Sequence, residues 1–64
     1  MAGTRVTEPM AAIIKLARQR DYKYEVIASY FIINQGRIAD VMKGRIAPQT
    51  PPADQLPPDF PPAG

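Results

Sequence analysis

The chain contains neither cysteine nor histidine among its 64 residues. The missing cysteine excludes disulfide frameworks and cysteine nucleophiles, and the two absences together exclude zinc fingers and histidine-based acid–base catalysis. The sequence also offers no paired carboxylates, no nucleophile–base pair and no phosphate-binding loop. We therefore expect no enzyme activity, no cofactor and no metal site.

Long hydrophobic runs are missing as well. No stretch of about 18 apolar residues is present, so the sequence predicts no membrane-spanning helix. The first residues lack the apolar segment of a signal peptide, and we expect the chain to remain in the cytoplasm. A chain of this length forms at most one domain, which excludes barrels, doubly wound sheets and two-lobed enzymes.

Proline is abundant, and its distribution divides the chain in two. Seven of the eight prolines lie between Pro48 and Pro62. Residues 1–46 contain eight basic and four acidic side chains, a net charge of +4, whereas residues 47–64 contain two acidic side chains and no basic one, a net charge of −2. Because proline lacks a backbone donor and favours extended conformations, we expect a basic folded body followed by a disordered or extended tail without a core.

The first helix is predicted by apolar residues at positions i, i+3, i+4 and i+7. These residues are Met10, Ile13, Ile14 and Ala17. Thr7 precedes them and can accept a hydrogen bond from one of the free backbone N–H groups of the first turn. We expect this helix over about residues 8–20, after a flexible arm over residues 1–7.

Two shorter helices are predicted over about residues 22–31 and 35–43. Asp21 and Asn34 are suitable N-cap residues for them, and Gly44 is a suitable stop for the last one. The expected fold class is all-α with three short helices. A body of this size is marginally stable alone.

The second and third predicted helices meet in a segment with a distinctive pattern. It reads Ile27-Ala28-x-x-Phe31-x-Ile33-Asn34-Gln35-Gly36-Arg37-Ile38. Two short helices that cross at about 90–120° need a small residue at their contact and apolar side chains around it. Ala28 supplies the small residue. The pattern resembles that of small helix-turn-helix transcriptional regulators of bacteria and their mobile elements.

The resemblance covers about residues 21–46 and implies a function. It implies that residues 8–46 form a helix-turn-helix domain, and that the protein is a sequence-specific regulator of transcription. The third helix would then enter the major groove of double-stranded DNA, and the protein would be associated with the nucleoid. Such proteins commonly bind as dimers, so we expect a homodimer or higher oligomer, at least on DNA.

One position departs from the family pattern. The family usually has glycine where this chain has Ile32, because the turn there commonly needs a positive φ. This conformation costs a β-branched residue roughly 1–2 kcal/mol. Three explanations are open: the turn has another geometry, burial of Ile32 offsets the strain, or Ile32 packs against a partner chain.

Candidate DNA contacts follow from position in the predicted helices. Arginine can pair with guanine, and glutamine or asparagine with adenine, so we expect base contacts from Asn34, Gln35 and Arg37. A second set is expected to contact the DNA backbone. This set is Tyr22, Lys23, Gly36, Lys43 and Arg45.

Several of these positions have an alternative interpretation. Gly36 would let the helix approach DNA closely, or it is a helix-weakening glycine without a role. Tyr22 and Tyr24 both suit phosphate contact, but packing in the core or at its edge is the better interpretation for the two tyrosines. Asp40 could accept from cytosine, repel a wrongly placed phosphate, or pair with Arg37 or Lys43 one turn away.

The tail has three possible roles. It is a disordered solubilising end, a docking segment whose Leu56 and Phe60 enter a groove of a partner, or a cover on the three helices. A different class of function is also open, namely a protein-interaction adaptor or an inhibitor of another regulator. Its contacts would be the apolar surface and the tail, through Tyr30, Ile32, Met42, Leu56 and Phe60. The polar and basic start of the third helix favours DNA.

Overall fold

The computed structural model describes residues 5–62. Within these residues the chain forms three helices and no strand: α1 spans Glu8–Gln19, α2 spans Tyr24–Phe31 and α3 spans Gln35–Met42. The predicted all-α class with three helices is confirmed. None of the three helices is both long enough and apolar enough to cross a bilayer.

The predicted arm is described only from Arg5 onward, and residues 1–4 lie outside the described residues. Val6 packs against the hydrophobic core, and Thr7 is the N-cap of α1. The end of the arm is therefore held against the helices.

Two of the predicted N-caps are confirmed. The Thr7 hydroxyl accepts a hydrogen bond from the backbone N–H of Met10 at 3.3 Å. The carboxamide oxygen of Asn34 accepts one from the backbone N–H of Arg37 at 3.1 Å. Each cap satisfies a donor that the first turn of its helix leaves free, and so helps to set where α1 and α3 begin.

All three helices end in the same backbone motif. One residue with positive φ follows each helix: Asp21 (66°), Ile32 (57°) and Gly44 (81°). Its N–H donates to the carbonyl three residues earlier, and the next N–H donates to the carbonyl five residues earlier. This Schellman motif satisfies carbonyl groups that the last helical turn leaves free. The predicted stop at Gly44 is confirmed.

The predicted capping role of Asp21 is wrong. Asp21 occupies the left-handed position that ends α1, and the N-cap of α2 is Lys23, whose side chain makes no capping hydrogen bond. Aspartate is suited to both roles, because its short polar side chain can cap a helix and also tolerates positive φ. Consequently α2 begins at Tyr24, two residues later than expected.

The core lies between the three helices. Its largest fully buried side chains are Ile14 of α1, Ile27 of α2, and Ile38 and Val41 of α3. Ala28 is also buried, at the position where the sequence called for a small residue. A small side chain lets neighbouring helices approach closely. Together, the buried side chains hold the three helices against one another and leave the rest of the α3 surface in solvent.

The tail folds back on the body. Residues 47–62 contain neither helix nor strand, but Leu56 and Phe60 pack against the hydrophobic core. The N–H of Ala53 donates to the carbonyl of Ala12 in α1 at 3.0 Å. The tail, which was expected to have no core, thus adds two side chains to the core of the helices. Of the three roles considered, these contacts match a cover on the helices.

Candidate nucleic-acid interface

The third helix has one buried and one exposed side. Ile38 and Val41 are fully buried against the other helices. Gln35, Gly36 and Arg37, which form the first turn, are exposed even with the tail in place. The buried pair therefore holds α3 against the other helices while its first turn faces solvent.

Asn34 lies at the start of this exposed turn, and its side chain is already partly used. The oxygen of its carboxamide caps α3 through the N–H of Arg37. Bidentate pairing with adenine requires both the oxygen and the nitrogen of an asparagine side chain. The cap occupies one of the two acceptor positions of this oxygen, so Asn34 keeps its nitrogen as a donor and one acceptor position for a base.

Gly36 leaves room for this cap. A Cβ atom at Gly36 would lie 2.9 Å from the carboxamide oxygen of Asn34, closer than such atoms approach in proteins. A side chain at position 36 would therefore displace the capping carboxamide. This role of Gly36 was not predicted from the sequence. The sequence does contain a signal for it, namely a glycine two residues after an asparagine at the start of a helix.

Two arginines of the candidate interface share one carboxylate. Nη1 of Arg37 lies 3.8 Å from Oδ2 of Asp40, and Nη1 of Arg45 lies 3.4 Å from Oδ1 of the same residue. The predicted Asp40–Arg37 pair is present, and Arg45 takes the place considered for Lys43. The Schellman motif after α3 turns the chain back and brings Arg45 to this side.

These ion pairs leave both guanidinium groups accessible. The side chains of Arg37 and Arg45 are 54% and 69% exposed. Exposed pairs of this kind are worth about 0–1 kcal/mol, because water screens them. A phosphate or a guanine can therefore replace Asp40 as the partner of either arginine at little cost. Asp40 thus has a guanidinium group close to each of its two carboxylate oxygens.

The remaining predicted backbone contacts divide into two groups. Lys23 at the start of α2 and Lys43 at the end of α3 are exposed and can reach a phosphate. Tyr22 is only 7% exposed, and its hydroxyl donates to the carbonyl of Pro61 at 2.5 Å. The structure contradicts the backbone contact predicted for Tyr22, because the turn after α1 points its ring inward beneath the tail.

Tyr24 also packs rather than projecting as a free phosphate contact. The guanidinium of Arg18 lies over its ring, 4.7 Å from the centroid. Arg18 also donates to the backbone carbonyl of Tyr22. These contacts tie the end of α1 to the turn before α2.

Comparisons of the chain with known protein families, with curated proteins and with solved structures found no match. The resemblance to helix-turn-helix regulators therefore rests on the pattern over residues 21–46 alone.

Proposed function

We propose that this chain binds double-stranded DNA with sequence specificity and regulates transcription, and that it is associated with the nucleoid. The observation that carries the proposal is the position of α3. Its first turn presents Gln35 and Arg37 to solvent, while Ile38 and Val41, which follow in the chain, anchor the helix in the core. An α-helix about 10–12 Å across fits the major groove of B-DNA, which is about 12 Å wide.

The geometry between α2 and α3 supports a helix-turn-helix unit. Ala28 of α2 is buried in the core, and Asn34 caps α3 after a short connection. Ile32 has φ 57° and ψ 50°, the left-handed conformation that the resemblance implies for this position. These three features are the ones that a turn between two crossing helices requires.

Each candidate residue has a proposed role. Arg37 and Gln35 read base edges, and the carboxamide of Asn34 contacts a base next to them. Lys23, Lys43 and Arg45 contact the phosphate backbone. The net charge of +4 on residues 1–46 favours this binding, because cationic side chains release counterions from DNA.

A second function has one observation in its favour. Ile32 is 82% exposed and Met42 is exposed as well, and both are large apolar side chains. They could contact another protein, as in an adaptor or an inhibitor of another regulator. The tail offers less to such a partner than the sequence suggested, because Leu56 and Phe60 pack against the chain's own helices.

We also propose that two copies of the chain associate on DNA. Each copy then contributes its own α3 to the contact with DNA.

The decisive experiment is selection of bound sequences from a random duplex pool by the purified chain. We expect enrichment of one defined site. Log affinity for that site should fall with log salt by about 0.9 per phosphate contacted. Symmetry in the selected site, together with the mass of the complex in sedimentation, gives the number of copies bound. Absence of enrichment and of salt-dependent duplex binding would contradict the proposal, and the adaptor function would then be the better explanation.

A further inference from the structure

A second recognition surface lies on α1, α2 and the turn between them. We call it the tail groove, defined by the four body residues that exchange hydrogen bonds with residues 47–62. These residues are Ala12, Lys15, Tyr22 and Tyr30. Because they belong to α1, α2 and the turn between them, the groove is separate from the first turn of α3.

The tail groove recognises the backbone of an extended chain. Nζ of Lys15 donates to the carbonyls of Ala47 and Thr50, at 2.8 and 2.5 Å. The carbonyl of Ala12 accepts from the N–H of Ala53, and the hydroxyl of Tyr22 donates to the carbonyl of Pro61. Proline-rich segments are extended before they bind, so they lose little conformational entropy in a groove of this kind.

The groove also recognises a particular sequence. Phe60 lies between two tyrosines, with ring centroids 5.0 Å from Tyr22 and 4.5 Å from Tyr30. The hydroxyl of Tyr30 donates to the carboxylate of Asp59 at 2.7 Å. Three consecutive residues, Asp59, Phe60 and Pro61, thus all contact one or both of these two tyrosines. This is a set of contacts that a generic proline-rich segment would not make.

The segment that joins α3 to the tail is backbone-strained. Ala47 has φ 48°, a conformation that side-chain-bearing residues rarely adopt, and it lies three residues after Gly44 at φ 81°. None of the tail-groove contacts requires that tail and groove belong to the same chain. A connection that is strained when closed favours exchange of the attached segment between copies.

We propose that the tail groove binds the Asp59-Phe60-Pro61 segment of a second copy as well as that of its own chain, so that two copies associate by exchanging tails. The effective concentration of a tethered tail is on the order of mM, so the intramolecular contact prevails in dilute solution. Exchange occurs at high local protein concentration. This inference does not rest on the proposed DNA binding.

The existence of the groove is tested with a peptide. The full-length Phe60→Ala variant, whose own tail is weakened, is titrated with a synthetic peptide of residues 47–62. We expect saturable binding, and binding at least about tenfold weaker when the peptide itself carries Phe60→Ala. The wild-type chain should bind the peptide at least about tenfold more weakly than the variant, because its own tail competes. Circular dichroism checks that the Phe60→Ala variant is folded. If that variant is unfolded, the full-length Asp59→Asn variant is used in its place. Equal binding of both peptides, or no saturable binding, would show that the tail groove does not recognise the tail sequence.

Exchange between copies is tested by energy transfer. Because the chain has no cysteine, Arg20→Cys on one population and Asp54→Cys on another each give a single labelling site, and both side chains are exposed. We expect transfer between the two populations to rise with protein concentration. It should disappear when both carry Phe60→Ala, and it should fall when both carry Ala47→Gly, which relieves the strain of the closed form. No transfer up to roughly the effective concentration of the tethered tail, about 1 mM, would overturn exchange even if the peptide binds.

Discussion

The hydroxyl of Tyr30 in α2 donates a hydrogen bond of 2.7 Å to Oδ1 of Asp59, across 29 positions of the chain. The pKa of Tyr30 is raised above its ordinary value of 10.0, chiefly because the protonated phenol makes this bond. Partial desolvation and the negative charge of Asp59 raise the pKa further. Attachment of the end of the tail to α2 therefore depends on the protonation of Tyr30.

We predict that alkaline pH releases the end of the tail. The Tyr30 pKa is higher in the folded chain than in the unfolded chain, so its stabilising contribution is complete below the unfolded pKa of about 10. The contribution is lost as pH rises through the higher folded value. Ultraviolet titration of tyrosinate should show one of the three tyrosines ionising at lower pH in Asp59→Asn than in the wild type. Identical titration curves would mean that the contact does not form in solution.

We predict that Ile32→Gly stabilises the fold. Ile32 has φ 57°, and it is 82% exposed, so neither an alternative turn geometry nor burial explains the isoleucine. Relief of the strain outweighs the entropy that glycine loses on folding and should raise the free energy of unfolding by about 1 kcal/mol. For a domain of this size the melting temperature should then rise by about 4–8 °C.

The matched control is Gly44→Ala at the equivalent position after α3. It should lower stability, because alanine is strained at φ 81°. A lower melting temperature for Ile32→Gly would contradict the strain argument. It would indicate instead that Ile32 packs against another copy, the third explanation, and the melting temperature would then depend on protein concentration.

We predict that two cations of the candidate interface act differently on DNA, given the proposed function. Arg37→Ala should weaken binding to the selected site by about 1–3 kcal/mol and relax the preference at one base position. Lys23→Ala should weaken binding to all sequences alike and reduce the salt slope by about 1. Affinity measurements on the selected duplex and on a scrambled duplex, each over a salt series, separate the two effects. If neither substitution alters affinity for any duplex, α3 and the start of α2 are not the DNA-binding surface.

We predict that substitutions of Asn34 separate its capping role from its base contact. Asn34→Ala should lower the free energy of unfolding by about 1 kcal/mol, whereas Asn34→Ser should be close to wild type because serine caps equally well. Chemical denaturation measures both. On the selected duplex, both variants should lose affinity if the asparagine nitrogen contacts a base. If only the alanine variant loses affinity, Asn34 contributes to binding through the cap alone.

Much of the helical framework was predictable because it depends on residues close together in the chain. Apolar periodicity located the three helices within a few residues, and Thr7, Asn34 and Gly44 marked where two of them begin and one ends. Asp21 was misassigned because the end of one helix and the start of the next compete for the same residue type. Only the packing of the turn decided between them.

The candidate site was predictable in part. The spacing of Ile38 and Val41 predicts which residues of α3 are buried, and the turn before them is polar and was expected at the surface. The proximity of Arg45 to Asp40 and the room that Gly36 leaves for the Asn34 cap depend on backbone turns and interatomic distances. No periodicity or composition carries that information.

The tail shows most clearly which features the sequence determined and which only the tertiary structure decided. Its prolines by themselves determined that residues 47–62 form no helix, because the ring removes a backbone donor and restricts the preceding residue. Composition could not determine where that extended segment lies. The tertiary structure decided it, since Tyr22 and Tyr30 form a site for Phe60 only when α1 and α2 pack together. Local backbone preferences are encoded within a few residues, whereas burial depends on contacts between residues far apart in the chain.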